Sequence, residues 1–353
     1  MGENAPRRRW RLPIWLVLAL AFGGLTTATA TVIGIGFYWA ALDNAFKLAL
    51  GLGDAELSRI TSTVEAQLQP AADQSRFLAD YISRGHVSPA DETRLRDLLL
   101  GSVGAVRQLS GVGFVRPNLN MTWASVVAQG RPYVAMSEDA AGNKALEALM
   151  RQARTSRVAF WAGPLILGDS GPLMIAVAPV AGENGRFAGI VGAAVSLSAA
   201  SVRLAATADP TIKRVPFVAT ESGRIVMHSS ARINESLAQP SVDLPEISAG
   251  FDPVLAALAW PPQDELDEDF TDRPPNTGVT FADLAGTNYL VVFRRVTGYG
   301  PAPWYLGYHV PQSWAEDVLK TINNIMWFAA LMVGIAILVA FFLGRAIGNP
   351  IHH

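Results

Sequence analysis

Two long runs without a charged residue constrain this chain more than any other feature. The first extends from Leu12 to Leu42 and the second from Thr321 to Gly344. Because about 20 apolar helical residues cross the hydrocarbon core of a bilayer, each run is long enough to span a membrane. A cleaved signal peptide is the alternative for the first run, but signal peptides usually have an apolar core of only about 7–15 residues. We therefore predict a first transmembrane helix at 12–42 and a second that ends at residue 344.

The flanking charges predict how the two spans are oriented. Four arginines precede the first run, and Arg345 follows the second. Cytoplasmic flanks of membrane helices carry an excess of Lys and Arg, so both termini are predicted to be cytoplasmic. Residues 1–11 then form a basic cytoplasmic terminus. The segment between the spans is predicted to lie in the periplasm, as part of a two-pass protein of a bacterial inner membrane.

The middle segment, residues 43–320, has the composition of a water-soluble domain. It contains 23 of the 28 Lys and Arg residues and 29 of the 30 Asp and Glu residues, which leaves a net charge of −6. This balance argues against a nucleic-acid partner, since nucleic-acid binding requires a basic surface. The chain has no cysteine, which excludes disulfides, thiolate metal sites and cysteine nucleophiles.

Hydrophobic periodicity predicts a long helix followed by a mixed lobe. Apolar residues recur at helical spacing from Asp54 to about Gly85, with Pro70 as a predicted kink or division. Two shorter helices are predicted at 91–109 and 143–153. Stretches rich in β-branched and aromatic residues, separated by Gly, Pro and Asn, predict the strands of the lobe. These stretches are GVGFV, TWASVVA, PYVAM, VAFWAGPLIL, PLMIAVAPVA and FAGIVGAAVSL.

A similar order of elements returns on a smaller scale after residue 205. PFVAT and RIVMHSS flank an ESG turn, and TNYLVVFRRV and PWYLGYHV complete a second sheet. The acidic stretch PPQDELDEDFTDRPPN is predicted to be a solvated loop, because its acids lack the spacing of a calcium loop. A helix that begins near Pro311 is predicted to continue without a break into the second span.

Together these features resemble the double Cache sensor domains of bacterial transmembrane receptors. The resemblance rests on the long helix, on AFWAGPLILGDSGPLMIAVAPVAGENGRFAGIVGAAVSL, and on the later FVATESGRIVMHS and WYLGYHVPQSWAED. It implies an α/β (α+β) fold with a long N-terminal helix and two PAS-like lobes, flanked by two transmembrane helices. The implied segments are a distal lobe with the long helix at 43–205, a proximal lobe at 206–312, and an exit helix with the second span at 313–344.

The C-terminal GRAIGNPI resembles the start of a HAMP linker, a parallel helical bundle just inside the membrane. Residues 345–353 are therefore predicted to begin that linker, with Trp314, Arg345 and Pro350 as signal-transmission residues. His352 and His353 are either its next residues or a tag fragment. The resemblance implies a homodimer that passes its signal to a cytoplasmic output module.

The output module has several candidates within the family: a histidine kinase, a chemoreceptor coil, a diguanylate cyclase or a class III adenylate/guanylate cyclase. These 353 residues contain no recognisable catalytic constellation or enzyme motif. If the full-length protein is an enzyme, an adenylate or guanylate cyclase is favoured over a histidine kinase. A structural or partner-binding membrane protein without a ligand is the remaining class.

The resemblance also implies a ligand site in the distal lobe, between its sheet and the covering loops. The candidate residues are Trp123, Tyr133, Arg154, Phe160, Trp161 and Asp169. The aromatic residues would form an apolar wall, with Arg154 or Arg116 pairing an anionic group and Asp169 a cationic one. The competing interpretation is that the aromatics are core residues and the charges lie at the surface.

The chemical identity of the ligand stays open between an organic acid, an amino acid and another metabolite. Amino-acid-binding members carry an Arg, a Trp-Tyr pair and spaced aspartates, whereas GNKALEALMRQARTSRVAFWAGPLILGDSG lacks that Arg and the pair. No cofactor is expected. His86, His228 and His309 are scattered and are predicted to be turn or strand residues, so no metal site is predicted.

Overall fold

A computed structural model of the chain describes 14–127, 131–166, 171–182, 185–208, 213–239, 243–264, 274–312 and most of 327–342. For 131–139 and much of 14–52, it describes the backbone without the side chains. The chain divides into two compact units. The larger unit is 53–312, and the smaller unit combines 1–52 with 313–353.

The described residues of the smaller unit are helical. Many large apolar side chains are exposed there, including Leu25, Val32, Phe37, Trp327 and Phe342. Across the part of the chain that the structure describes, no helix combines the length and the apolar content needed to cross a membrane. The predicted cytoplasmic terminus, exit helix and HAMP start lie outside the described residues.

Helix α1 comprises Ile14–Ser83. From residue 53 onward it buries the predicted stripe at spacings of three and four, formed by Leu57, Ile60, Val64, Leu68, Ala71, Leu78 and Ile82. The helix continues through Pro70 as one element, so the predicted division is wrong. Proline removes one backbone hydrogen bond. The buried apolar residues on both sides of Pro70 offset that loss.

The first lobe, which we call the distal lobe, is built on a six-stranded antiparallel sheet with the order β3-β2-β1-β6-β5-β4. Helix α2 (Glu92–Ala105) packs against the β1–β3 side, and helix α3 (Lys144–Ser156) packs against β5 and β6. Each of the six strands overlaps one of the predicted stretches, although β2 begins two residues earlier than predicted and β3 extends beyond its stretch at both ends. They are β1 Gly111–Val115, β2 Asn120–Val127, β3 Arg131–Asp139, β4 Phe160–Ile166, β5 Pro172–Ala181 and β6 Phe187–Ser196.

Capping side chains explain why α2 and α3 begin one residue later than predicted. The Asp91 Oδ1 atom accepts a hydrogen bond from Arg94 N, and Asn143 Oδ1 accepts from Ala145 N and Leu146 N. Both residues are therefore N-caps, which satisfy free backbone N–H groups without joining the helix.

The second lobe, which we call the proximal lobe, has a five-stranded antiparallel sheet with the order β8-β7-β11-β10-β9. Helix α4 (Leu197–Ala205) leads from β6 into this lobe and contacts strands of both sheets. The strands are β7 Val215–Thr220, β8 Ile225–His228, β9 Thr277–Leu284, β10 Thr287–Val296 and β11 Trp304–Pro311, with short helices α5 Ala231–Leu237 and α6 Pro253–Ala256. The long helix and two mixed lobes confirm the predicted fold class.

Strand β9 and helices α4–α6 were absent from the sequence prediction. β9 forms a hairpin with β10 through Ala285 and Gly286, both of which have positive φ. Two-residue turns in which both residues have positive φ match the right-handed twist of the two strands that they connect. The three helices have nine residues or fewer, too few for a helical period to stand out from the surrounding sequence.

Candidate ligand-binding site

A cavity of about 30 Å³ lies on the face of the distal sheet that α3 covers. Leu146 and Leu149 project to it from α3, whose N-cap Asn143 sets where the helix begins. The described lining residues are all apolar or glycine. They are Gly113, Val115, Met121, Trp123, Leu146, Leu149, Leu165, Ile175, Val177, Ile190 and Gly192.

The register of the sheet explains this hollow. Val177, Gly192, Gly113 and Trp123 are paired directly across four adjacent strands. Directly paired residues of antiparallel strands stand on the same face of a sheet. The two glycines leave the middle of this row without side chains. The hollow therefore arises from two neighbouring glycines between a valine and a tryptophan.

Trp123 lies flat against β1 and forms one wall of the cavity. A Cβ atom at Gly113 would lie 2.4 Å from Trp123 Cε3, and one at Gly111 would lie 2.3 Å from Trp123 Cζ2. Real Cβ atoms are not found this close to other heavy atoms. Glycine at both positions is thus what allows the indole to occupy this place.

Of the other candidates whose side chains are described, Phe160 lies near the cavity, whereas Arg154 and Trp161 make contacts elsewhere. Phe160 is partly buried and packs against the apolar core between α3 and the distal sheet, which also surrounds the cavity. Arg154 is exposed, and its guanidinium carbon lies 5.3 Å from the ring centre of Phe187. Trp161 contacts the proximal lobe instead, with 6.0 Å between its ring centre and that of Tyr299.

The remaining candidates are only partly described or not described. Tyr133 pairs with Ser125 in the backbone register of β2 and β3, and its side chain is not described. Asp169, Trp314, Arg345 and Pro350 lie outside the described residues. Arg116, the alternative anion partner, donates from Nη2 to Pro89 O at 2.9 Å and from Nη1 to Thr122 Oγ1 at 3.2 Å.

Sequence reasoning missed the glycines and the helix α3 leucines of the cavity. A signal for the glycines was present, since GVG and IVGAA place glycine inside strands that otherwise carry apolar side chains. Glycine within a strand often marks a position where another group approaches closely. Which group approaches depends on the strand order, and local sequence does not contain that order.

The two lobes touch through an aromatic contact near α1. Tyr299 stacks on Trp304 of the proximal lobe with 5.0 Å between ring centres. Trp161 of β4, in the distal lobe, contacts the same tyrosine ring. Burial, together with the nearby charge of Glu65 on α1, raises the pKa of Tyr299 to about 12. Tyr299 is therefore a neutral phenol at physiological pH, with its ring packed between residues of the two lobes.

The proximal lobe contains a buried cluster of His228, Asp252 and His309. Each histidine Nε2 atom lies 2.8 Å from Asp252 Oδ2. Asp252 Oδ1 accepts hydrogen bonds from Val254 N and Leu255 N, at the start of α6. Both histidines lie in strands, as predicted, but the strand order brings them together from opposite ends of the lobe's sequence.

This donor set does not fit a metal ion. A metal-bound histidine normally donates its second ring N–H to an acceptor. His228 Nδ1 instead accepts the backbone N–H of Ser230 at 3.0 Å, which assigns its proton to Nε2, the atom that faces Asp252. The cluster is therefore a hydrogen-bonded group centred on a carboxylate.

The ionisation of Asp252 follows from these contacts. Burial alone would raise the pKa of this carboxyl. The hydrogen bonds from His228 and His309, the electrostatic attraction of His309 and the backbone bond from Leu255 outweigh burial and hold the pKa well below its usual range. Asp252 is thus a carboxylate at every physiological pH.

Helix α1 is attached to the proximal lobe by ion pairs. Glu56 Oε2 lies 2.9 Å from Arg214 Nη1, and both side chains are largely buried. The guanidinium of Arg214 lies 5.1 Å from the ring centre of Tyr308. A second pair joins Arg294 Nη2 and Asp54 Oδ1 at 2.7 Å. Movement of the proximal sheet would therefore act directly on the helix.

No family model and no curated protein matches the sequence. The ligand-binding domain of Campylobacter jejuni chemoreceptor Tlp3, in complex with L-valine, is 14% identical with a TM-score of 0.51. That match covers 75% of this chain and 94% of that chain.

Two further solved structures give similar values. The Tlp3 sensory domain with isoleucine bound is 14% identical, with a TM-score of 0.50 and coverage of 75% of this chain and 94% of that one. The extracellular domain of mmHK1S-Z2, a protein assigned as a histidine kinase, is 14% identical with a TM-score of 0.50. That match covers 78% of this chain and 99% of that chain.

At this level of identity, the likeness establishes the fold. The long helix, the two antiparallel sheets and the near-complete coverage of these receptor domains agree with the resemblance carried by the sequence motifs. The chain therefore has the double Cache fold of the extracellular sensor domains of bacterial chemoreceptors and histidine kinases.

Proposed function

We propose that the chain is a transmembrane signal-transduction receptor whose double Cache domain binds a small molecule in the distal lobe. The observation that carries this proposal is the cavity beneath α3, beside the predicted residue Trp123. The fold supports it, and the Tlp3 domain of the same fold holds L-valine or isoleucine. Binding would shift the equilibrium between two conformations in proportion to the difference in affinity for them.

The route of the signal forms part of the proposal. The domain would lie in the periplasm, and the second transmembrane helix and a HAMP linker of a homodimer would pass the change to a cytoplasmic output module. Two uncharged runs with basic outer flanks support this topology. Exposed apolar side chains on the described residues of 14–52 and 327–342 also support it, since large exposed apolar surface in a soluble protein is unfavourable.

The ligand proposal is tested with the full chain in lipid nanodiscs and a metabolite library, with a rise in Tm as the readout. Trp123→Ala should remove the response to any hit, because it removes one wall of the cavity. Phe77→Ala is the matched control, since Phe77 is an exposed aromatic residue of α1 outside the cavity. A hit that binds the Trp123→Ala variant unchanged would place the ligand elsewhere, and a library without hits would favour a structural membrane protein.

The topology is tested by cysteine labelling, for which the cysteine-free chain is well suited. Thr155→Cys lies on the exposed face of α3, and Ala5→Cys lies in the basic N-terminal segment. A membrane-impermeant maleimide added to spheroplasts should label Thr155→Cys and leave Ala5→Cys unlabelled until the cells are lysed. The opposite pattern would reverse the proposed orientation.

A further inference from the structure

We infer that the distal cavity takes an uncharged, apolar small molecule rather than an ion or a zwitterion. This inference rests on the proposed function and specifies the ligand class of that same site. Three observations support it: the cavity is lined by apolar residues, the two nearby arginines contact other groups, and two glycines of the sheet leave the space empty.

The described lining offers hydrocarbon contacts and no charged group. It consists of aliphatic side chains, one methionine, one indole and two glycines. A charged ligand in such a site would lose its hydration without gaining an ion pair, which is strongly unfavourable. A cavity lined in this way can stay dry and accept an apolar molecule.

The two arginines predicted to pair an anion are engaged outside the cavity. Arg154 is exposed, and its guanidinium lies over Phe187. Arg116 donates to Pro89 O and Thr122 Oγ1 and lies 3.8 Å from Glu92. Neither arginine lines the cavity, so a carboxylate ligand finds no counter-charge among the described lining residues.

The size of the cavity limits what enters without a movement of the domain. A volume of about 30 Å³ holds about one or two water molecules or a single xenon atom. A larger ligand must displace Leu146 and Leu149, which cover the hollow from α3. Occupancy by such a ligand would therefore move α3 relative to the sheet, which provides a conformational response to an apolar molecule.

The glycines supply a variant that fills the hollow without straining the fold. A Cβ atom at Gly192 would meet Ile175 Cγ2 at 3.5 Å, an ordinary van der Waals distance. At Gly113 the same atom would collide with Trp123. Gly192→Ala is thus the cavity-filling change. Gly101→Ala in α2 is its matched control, because the added methyl group there meets nothing within 4 Å apart from its chain neighbours and the backbone of its own helix.

The first experiment uses xenon as the probe and methyl NMR of the full chain in nanodiscs. With 13C-methyl methionine, the Met121 signal should shift saturably with xenon pressure, since Met121 lines the cavity. The buried Met227 of the proximal lobe serves as the internal reference. The Gly192→Ala variant should weaken the response by about tenfold or more, because the methyl group occupies the space, whereas Gly101→Ala should leave it unchanged.

The second experiment compares toluene with benzoate, two molecules of similar shape that differ in charge. Toluene should raise the Tm of the wild-type chain and of Gly101→Ala more than that of Gly192→Ala. Benzoate should raise none of them. The Gly192→Ala variant also corrects for toluene that dissolves in the lipid, because that contribution is the same for all three proteins.

The outcomes separate the ligand class from the proposed function. If xenon leaves Met121 unshifted while a charged metabolite binds and is lost in Gly192→Ala, the site is real and our ligand class is wrong. If xenon shifts Met121 equally in the wild type and in Gly192→Ala, the assignment of the cavity is wrong. If neither xenon nor any metabolite binds, both the ligand class and the proposed function fail.

Discussion

Four hydrogen bonds converge on the carboxylate of Asp252 in the core of the proximal lobe. Two come from His228 and His309, and two come from the backbone at the start of α6. The residue is 3% exposed, so water cannot replace a lost partner. Removing this one carboxylate would leave several buried donors without an acceptor, which costs more than the bonds themselves contribute.

Asp252→Asn should lower the stability of the proximal lobe and change its dependence on pH. A folded-state pKa below the unfolded value means that the carboxylate stabilises the fold above about pH 4, and that this stability is lost as pH falls further. At pH 7 we expect a loss of about 3–5 kcal/mol. As the pH falls below about 4, the wild type should progressively lose its advantage over the variant.

Urea unfolding of both proteins across this pH range, followed by tryptophan fluorescence, measures the difference directly. Asparagine keeps an oxygen for the N-terminal N–H groups of α6, but its NH2 group faces the two histidine N–H groups, so the variant loses both the charge and their shared acceptor. Curves for wild type and variant that stay parallel from pH 7 to pH 3 would contradict the assignment.

Among the elements, helix α1 carries ion pairs that differ in burial, and a buried pair joins it to the proximal lobe. The Glu56 and Arg214 side chains are 8% and 13% exposed, whereas those of Asp73 and Arg76 on the same helix are 61% and 54% exposed. Exposed pairs contribute little because water and salt screen them. A buried pair matters more when one partner is removed, since the other is left uncompensated.

Glu56→Ala should therefore loosen α1 from the proximal lobe, with a loss of about 3 kcal/mol, whereas Asp73→Ala should cost less than about 0.5 kcal/mol. Hydrogen exchange should show faster exchange at residues 53–60 in the first variant only. The double variant Glu56→Ala with Arg214→Met should recover part of the loss, because the unpaired cation is gone. Equal effects of Glu56→Ala and Asp73→Ala would show that α1 is held by its apolar stripe alone.

At the scale of the whole domain, the two lobes of 53–312 are coupled by packing. Trp161 meets Tyr299, and a Cβ atom at Gly300 would lie 3.4 Å from Gly163 Cα. At a second place, the backbone of Gly171 approaches Leu237 O so closely that a Cβ atom there would lie 2.8 Å from it. A movement in the distal lobe must therefore be accommodated by the proximal lobe.

Tyr299→Ala should weaken this coupling, at a cost of about 2–4 kcal/mol for the lost aromatic packing. Because the contact crosses between lobes, we expect faster hydrogen exchange in β4 of the distal lobe as well as near residue 299. Tyr299→Phe should retain protection in both places, since ring packing does not need the hydroxyl group. If exchange in Tyr299→Ala increased near residue 299 alone, the aromatic contact would not couple the lobes.

Most of the elements of the fold could be predicted from local pattern. The stripe of α1, the six distal strands and four of the five proximal strands carry a clear period or a β-rich composition between turn residues. The short helices α4–α6 were missed because one or two turns contain too few residues to express a period. The predicted division of α1 at Pro70 was wrong, because buried apolar residues on both sides of the proline hold the helix together.

The residues of the candidate site were harder to predict from the sequence than the helices and strands. Trp123 lies in the cavity wall, but Arg154 and Trp161, chosen for their chemistry, point to other contacts. Whether such a side chain lies in the core, at the surface or in a pocket depends on the order of the strands in the sheet. The centre of the cavity, Gly113 and Gly192, has no side chain and so gave no chemical signal.

Composition and local periodicity along the chain were enough to identify the uncharged runs, the order of the elements and the double Cache resemblance. Two features became visible only in the folded domain: Gly113 and Gly192 are neighbours beneath α3, and His228 and His309 share Asp252. Strand order and register bring together residues that lie far apart in the chain, and local interactions do not specify those pairings.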